Sequence, residues 1–180
     1  MITVISCSNR KESKCMVFAE QYASLLRTLT AEEVQLLALE EVPHDWFFPG
    51  MYEGEDQASS LAEIQDRFII PAEKFVFISS EYNGSFPGVL KLFIDAISVR
   101  EYKATFEGKK AALVGVATGR AGNLRGMDHL TNILNHLGMI VLPSKLPISG
   151  INKLINGTDK ITDESTLYNM QLQAQEFVGF

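Results

Sequence analysis

The chemistry-bearing residues near the start of the chain are Ser6-Cys7-Ser8-Asn9-Arg10-Lys11-Glu12-Ser13. This stretch joins an apolar run to a helical pattern. It carries three hydroxyls, an arginine and a lysine. A helix start presents unpaired N–H groups and about half a positive charge, which suits an anion. Ser8 and Ser13 add hydroxyl donors, and Arg10 adds a charged fork. A phosphate monoester would be met well here. A helix-capping loop with a solvated arginine fits the same residues. Three other phosphate loops are excluded on spacing. A dinucleotide fingerprint needs Gly-x-Gly-x-x-Gly, and a P-loop ends in Gly-Lys-Ser/Thr. A phosphatase Cys-x5-Arg loop starting at Cys7 would need arginine where Ser13 stands. Cys7 therefore reads as a small strand-end residue.

A second stretch is Ser79-Ser80-Glu81-Tyr82-Asn83-Gly84-Ser85-Phe86-Pro87-Gly88-Val89-Leu90-Lys91. Gly84 allows close approach of the backbone because it has no Cβ. A third is Thr118-Gly119-Arg120-Ala121-Gly122-Asn123-Leu124-Arg125-Gly126, again glycine-rich. His44, His129 and His136 show no metal-ligand spacing. Arg100, Lys103, Lys109 and Lys110 form a basic stretch that reads as a solvated helix end or as a contact for a cofactor phosphate.

These loops need a frame, and the hydrophobic pattern supplies one. Buried strands are predicted at 2–6, 34–39, 75–79, 111–117 and 139–142. Between them lie helical faces. Cys15, Phe18, Tyr22 and Leu26 mark the first, with Ser13 as N-cap. Leu61, Ile64 and Phe68 mark the second, which Pro71 stops. The third, 86–97, has Ser85 as N-cap and Pro87 in its first turn. Met127, Leu130 and Leu134 mark the fourth, stopped by Gly138, and a last helix runs from about Thr162 to Phe177. Alternation of this kind predicts a parallel sheet with helices on both faces and a ligand crevice at the strands' carboxyl ends. The 40–60 stretch is irregular and aromatic. Trp46, Phe47, Phe48 and Tyr52 fit either a lid over the site or a loop packed on its own subunit.

With 180 residues the chain predicts one domain, 1–180. Apolar residues make up 46% and charged residues 21%, which excludes disorder. The net charge of −6 argues against a non-specific nucleic-acid binder. No apolar run reaches membrane-span length, the N-terminus lacks signal-peptide features, and two cysteines read as reduced thiols of a cytoplasmic protein.

The Glu81-Tyr82-Asn83-Gly84-Ser85-x-Pro87-Gly88-x-Leu90-Lys91 string resembles the NADPH-dependent FMN reductase family, and Ser8-x-Arg10-x-x-Ser13 resembles that family's phosphate loop. The likeness spans nearly the whole chain. It implies a flavodoxin-like three-layer α/β sandwich whose five-stranded parallel sheet has the order 2-1-3-4-5. It implies bound FMN, with NADPH as the hydride donor and a quinone, metal oxyanion or free flavin as the acceptor. Ser8, Arg10 and Ser13 would anchor phosphate, with Lys14 adding charge and Cys15 standing where the family has a polar residue. Glu81, Tyr82, Asn83, Gly84 and Ser85 would frame the ring, and Thr118, Gly119 and Gly122 would border it from the other side. The flavin carries the chemistry, so no catalytic side chain and no metal are implied. The chain departs from the family at Ser80, at Leu92 and at Arg120-Ala121-Gly122-Asn123, where paired glycines are usual. Leu92, Ala96 and Val99 form a second apolar stripe on the third helix. A helix apolar on two sides predicts an interface, so a homodimer or homotetramer is expected. Two other readings fit the residues: a flavodoxin-like electron carrier, and a flavin-free relative that keeps the fold.

Overall fold

The protein is described by a computed structural model covering residues 1–53 and 57–180. Part of the irregular 40–60 stretch, residues 54–56, lies outside the described residues. The sheet is made of short apolar runs that are covered on both faces. β1 (Ile2–Ser6) is buried at every position. β3 (Lys74–Ser80) is buried except at its ends, and β4 (Lys110–Val116) except at Lys110. Thr3 and Ser6 are the polar residues of β1, and the Thr3 hydroxyl donates to the Phe68 carbonyl at 2.6 Å. β2 (Val34–Ala38) flanks β1. All pairings are parallel, and the main order is β2-β1-β3-β4-β5, as expected.

The sheet has six strands rather than five, because its last edge is built in two pieces. β5 is only Ile140–Val141 and pairs with the start of β4. The chain then kinks through Pro143 and Ser144. β6 (Leu146–Ile148) rejoins the end of β4. Pro147 lies inside β6, where an edge strand tolerates the missing N–H.

Helices α1 (Lys14–Leu29) and α6 (Glu164–Gly179) cover one face through Phe18, Tyr22, Leu26, Met170 and Phe177. α2 (Ser59–Ile64), α3 (Gly88–Ile97), the short α4 (Tyr102–Phe106) and α5 (Leu124–His136) cover the other, through Leu61, Phe93, Phe106 and Leu130. α2 runs on into a π-helical turn, Gln65–Ile69. The buried Gln65 amide nitrogen there reaches the Ile97 and Arg100 carbonyls and the Thr105 hydroxyl at 2.7–2.9 Å, tying α2, α3 and α4 together. Ser13 caps α1 as predicted, accepting from Cys15 N. Gly138 follows α5 at φ 89°, the left-handed conformation that ends helices.

Three expectations need correction. α3 starts at Gly88, with Pro87 at the cap position, so Ser85 is not its N-cap. The Ser85 hydroxyl instead meets His129 Nδ1 on α5 at 2.9 Å. The basic stretch is a solvated end only in part, at the exposed Lys103. Lys109 is buried and donates to the Ile69 and Ile70 carbonyls, while Arg100 pairs with Asp66 at 2.7 Å. These groups lie toward the start of β4, away from the strands' carboxyl ends. Finally, the second stripe of α3 is covered in part by the chain itself, with Leu92 and Val99 half-buried. Ala96 is buried, and Leu92 packs on the core that holds Trp46 and Met51. Trp46 meets Phe93 edge-on at 6.4 Å, so this part of the aromatic loop packs on its own subunit, while Phe47 and Tyr52 stay exposed.

Candidate flavin site at the carboxyl ends of the strands

Three loops leave the carboxyl ends of β1, β3 and β4 side by side. They enclose a cleft of about 410 Å³ lined by Arg10, Ser13, Lys14, Glu81, Tyr82 and Thr118, with Ile151 and Asn152 from the segment after β6. That size is in the range of small-molecule and cofactor sites.

The β1 loop supplies the anion end. The Ser13 hydroxyl accepts from Cys15 N at 3.3 Å, which leaves its own proton free to donate outward. Arg10 is exposed and has no carboxylate partner among the described residues. Lys14 is already engaged in an ion pair with Asp159. Ser8 is buried rather than open to the cleft. Its hydroxyl accepts from Arg10 N at 3.1 Å and lies 3.3 Å from the Tyr82 hydroxyl, so it links the β1 loop to the β3 loop.

The β3 loop is a tight turn. Tyr82 N donates to Ser85 O at 2.9 Å, and Ser85 N donates back to Tyr82 O at 3.0 Å. Asn83 and Gly84 between them have φ of 52° and 76°. Two successive positive φ values are the mark of a type I′ turn, for which Asn-Gly is the favoured pair. The N–H groups of Asn83 and Gly84 have no acceptor among the described residues, so they remain available to a ligand. Glu81 accepts from Asn123 N at 3.2 Å and so anchors the β4 loop.

Not every expected residue faces the cleft. Cys15 lines it, but its buried thiol donates to the Ile78 carbonyl at 2.8 Å, and burial pushes its pKa up. Burial, followed by the nearby Cys15, raises Cys7 well above the usual thiol range. Both thiols are free, and they pack into cores on opposite faces of the sheet. Gly119 is exposed, and its carbonyl accepts from Gly150 N at 3.2 Å. Gly122 is buried against Pro147 and Ile148, where a Cβ would lie 2.8 Å from Pro147, so close packing requires this glycine. Ser85 turns away toward His129.

Ile151 and Asn152, which no motif marks, reach the cleft from the segment that follows β6. Nor does any motif mark Asp159 or the buried Asn123. The Asn83-Gly84 pair was a readable hairpin-turn signal.

The donor set fits FMN. A cationic, hydroxyl-bearing helix start lies at one part of the cleft, and free backbone donors on a turn adjoin it, matching a phosphate and a pyrimidine edge. The profile of the NADPH-dependent FMN reductase family matches residues 1–153. An NAD(P)H-dependent FMN reductase from Pseudomonas aeruginosa is 32% identical over 69% of this chain and 70% of its own length. An FMN-dependent NADH:quinone oxidoreductase from Staphylococcus haemolyticus is 37% identical over 48% of this chain, and the match spans about half (49%) of that protein. The solved structure of FerB, a flavoenzyme NAD(P)H:(acceptor) oxidoreductase from Paracoccus denitrificans, superposes with a TM-score of 0.78 at 24% identity, covering 99% of this chain and 94% of that one, a likeness of fold. With a family profile matched over most of its length and the family's two loops brought to one cleft, the chain belongs to the NADPH-dependent FMN reductase family.

Proposed function

We propose that the protein is an FMN-dependent oxidoreductase that takes reducing equivalents from NAD(P)H and delivers them to a quinone or a similar two-electron acceptor. The observation that carries this reading is the meeting in one cleft of the Arg10–Ser13 helix start with Glu81 and Tyr82, the residues that lead into the Asn83-Gly84 turn. FMN, when bound, supplies the hydride and electron transfer. The chain's part is binding and orientation. Ser13 and Arg10 hold the phosphate, and the α1 dipole adds to them. The Asn83 and Gly84 N–H groups face the ring's pyrimidine edge, where negative charge grows on reduction. Tyr82 is partly exposed at the mouth and offers an aromatic surface to ring or substrate.

NADPH is the donor we favour over NADH, in keeping with the family's description, and the exposed Arg120 and Arg125 of the β4 loop are free to meet its extra phosphate. We place the protein in the cytoplasm, where its two free thiols stay reduced. No helix among the described residues is long and apolar enough to cross a membrane. For a homodimer or homotetramer, the support is exposed Phe47, Tyr52 and Leu124, with the half-buried Leu92 and Val99 of α3.

The test is steady-state NADPH oxidation by FMN-loaded protein with a quinone. Turnover that saturates in both substrates is expected. An electron carrier would hold FMN yet show negligible turnover, and that result would overturn the enzyme reading.

A further inference from the structure

The loops that frame the proposed flavin site need something to hold them in register, and one buried side chain touches both. Asn123 sits where the β4 loop turns into α5, 1% exposed, with φ 60°. Asparagine is one of the few non-glycine residues that adopt this conformation readily. Its Nδ2 lies 3.0 Å from both the Ser79 and the Ser80 carbonyls and 3.1 Å from the Ser79 hydroxyl. Its backbone N–H donates to the Glu81 carboxylate. The two carbonyls fix the amide's orientation, so Oδ1 must point the other way, and it has no partner among the described residues. Oδ1 fills the place of a Cβ at Gly126, which would lie 2.1 Å from it, and the Ser85–Phe86 backbone closes in at 2.7 Å. The end of β3, the Ser85–Phe86 segment and the start of α5 therefore meet around one amide.

A buried amide with half its capacity unmet works against stability. Glycine would satisfy φ 60° without that penalty. The side chain's bonds all go to the segment that carries the Tyr82–Ser85 turn. We propose that Asn123 is a positioning residue: it locks Ser79–Glu81, and with it the Asn83 and Gly84 N–H groups, to the Thr118–Gly122 loop, and so sets how strongly the turn binds the reduced cofactor. This inference rests on the flavin reading.

The experiment compares wild type, Asn123→Gly and Thr105→Val as purified flavin-free proteins titrated with FMN, followed by the midpoint potential of the bound flavin. Asn123→Gly is compatible with the backbone conformation and removes the whole side chain, Cβ and amide together. It is expected to weaken oxidised FMN about tenfold, or about 1.4 kcal/mol. The reduced form should lose about tenfold more, which lowers the two-electron potential by about 30 mV. Thr105→Val removes a buried contact with Gln65 at the far end of the sheet. It should lower the melting temperature and leave both flavin readouts unchanged. Asn123→Asp, which keeps the shape and lacks the amide donors, is read the same way should the glycine variant not fold. If wild type binds FMN and the Asn123 variants keep its affinity and potential, the positioning role is overturned. Equal shifts in Thr105→Val would reduce it to general stability and overturn it too. Failure of the wild type to bind FMN would overturn the flavin reading itself.

Discussion

Asp159→Asn should tighten FMN binding, and Arg10→Ala should weaken it. The structure gives the two basic residues at the phosphate end different duties. Lys14 is held by Asp159, with both side chains about half exposed (45% and 57%), whereas Arg10 has no carboxylate partner among the described residues. A phosphate arriving at Ser13 must compete with Asp159 for Lys14. Exposed ion pairs are worth roughly 0.2–1 kcal/mol, so releasing Lys14 should lower the FMN dissociation constant about 1.4- to fivefold. Loss of a charge-assisted bond from exposed Arg10 falls near the low end of roughly 1.5–3 kcal/mol, or about tenfold weaker binding. Lys14→Ala should cost less than Arg10→Ala, because its charge is already half spent. The assay is fluorescence titration of flavin-free protein with FMN at low and high salt. The Asp159→Asn gain should shrink at high salt, where exposed charges are screened. Unchanged affinity in Arg10→Ala, or weaker binding in Asp159→Asn at low salt, would refute this division of roles.

Three further outcomes follow from the packing. Gly126→Ala puts a Cβ 2.7 Å from the Ser85–Phe86 backbone, which cannot give way as a side-chain tip can, so a loss of about 1–3 kcal/mol or more in chemical denaturation is expected; a variant as stable as wild type would contradict that packing. Tyr22 is fully buried and bonded to Gln173 Oε1 at 3.1 Å, and burial, reinforced by Glu176, raises its pKa far above the usual value. Above about pH 10 the unfolded chain ionises this tyrosine and the folded chain does not, so stability falls by up to about 1.4 kcal/mol per pH unit; Tyr22→Phe should flatten this alkaline slope in melting curves, and an unchanged slope would count against it. Cys7 and Cys15 are buried with raised pKa values, so native protein at neutral pH should resist alkylation by iodoacetamide, and both thiols should react in denaturant; rapid labelling of either thiol in native protein would contradict their burial.

The parallel core was legible because β1, β3 and β4 are predominantly apolar runs, as strands covered on both faces are. The last edge was not. The strand predicted at 139–142 stops before Pro143, and nothing local says that the edge can resume through Pro147, which lacks an N–H. The string 81–91 pointed to the right turn, since Asn83-Gly84 fixes its own backbone. The exact start of α3 depended on Ser85 preferring His129, a residue 44 positions away, over a cap. Gly122 was read as a ligand-facing glycine, and its real requirement is the contact with Pro147 in the unforeseen β6. Asp159 and Asn123 carry no motif. Their roles come from distant partners, Lys14 in one case and the end of β3 in the other, which only the folded chain brings together.

The most direct measurement is an FMN titration of purified flavin-free protein, followed by equilibrium dialysis to count bound flavin. One FMN per chain, a dissociation constant of about a micromolar or tighter, and the absorbance of a bound flavin are expected. Protein that stays colourless and takes up no flavin at about 100 micromolar, far above that constant, would contradict the flavin reading.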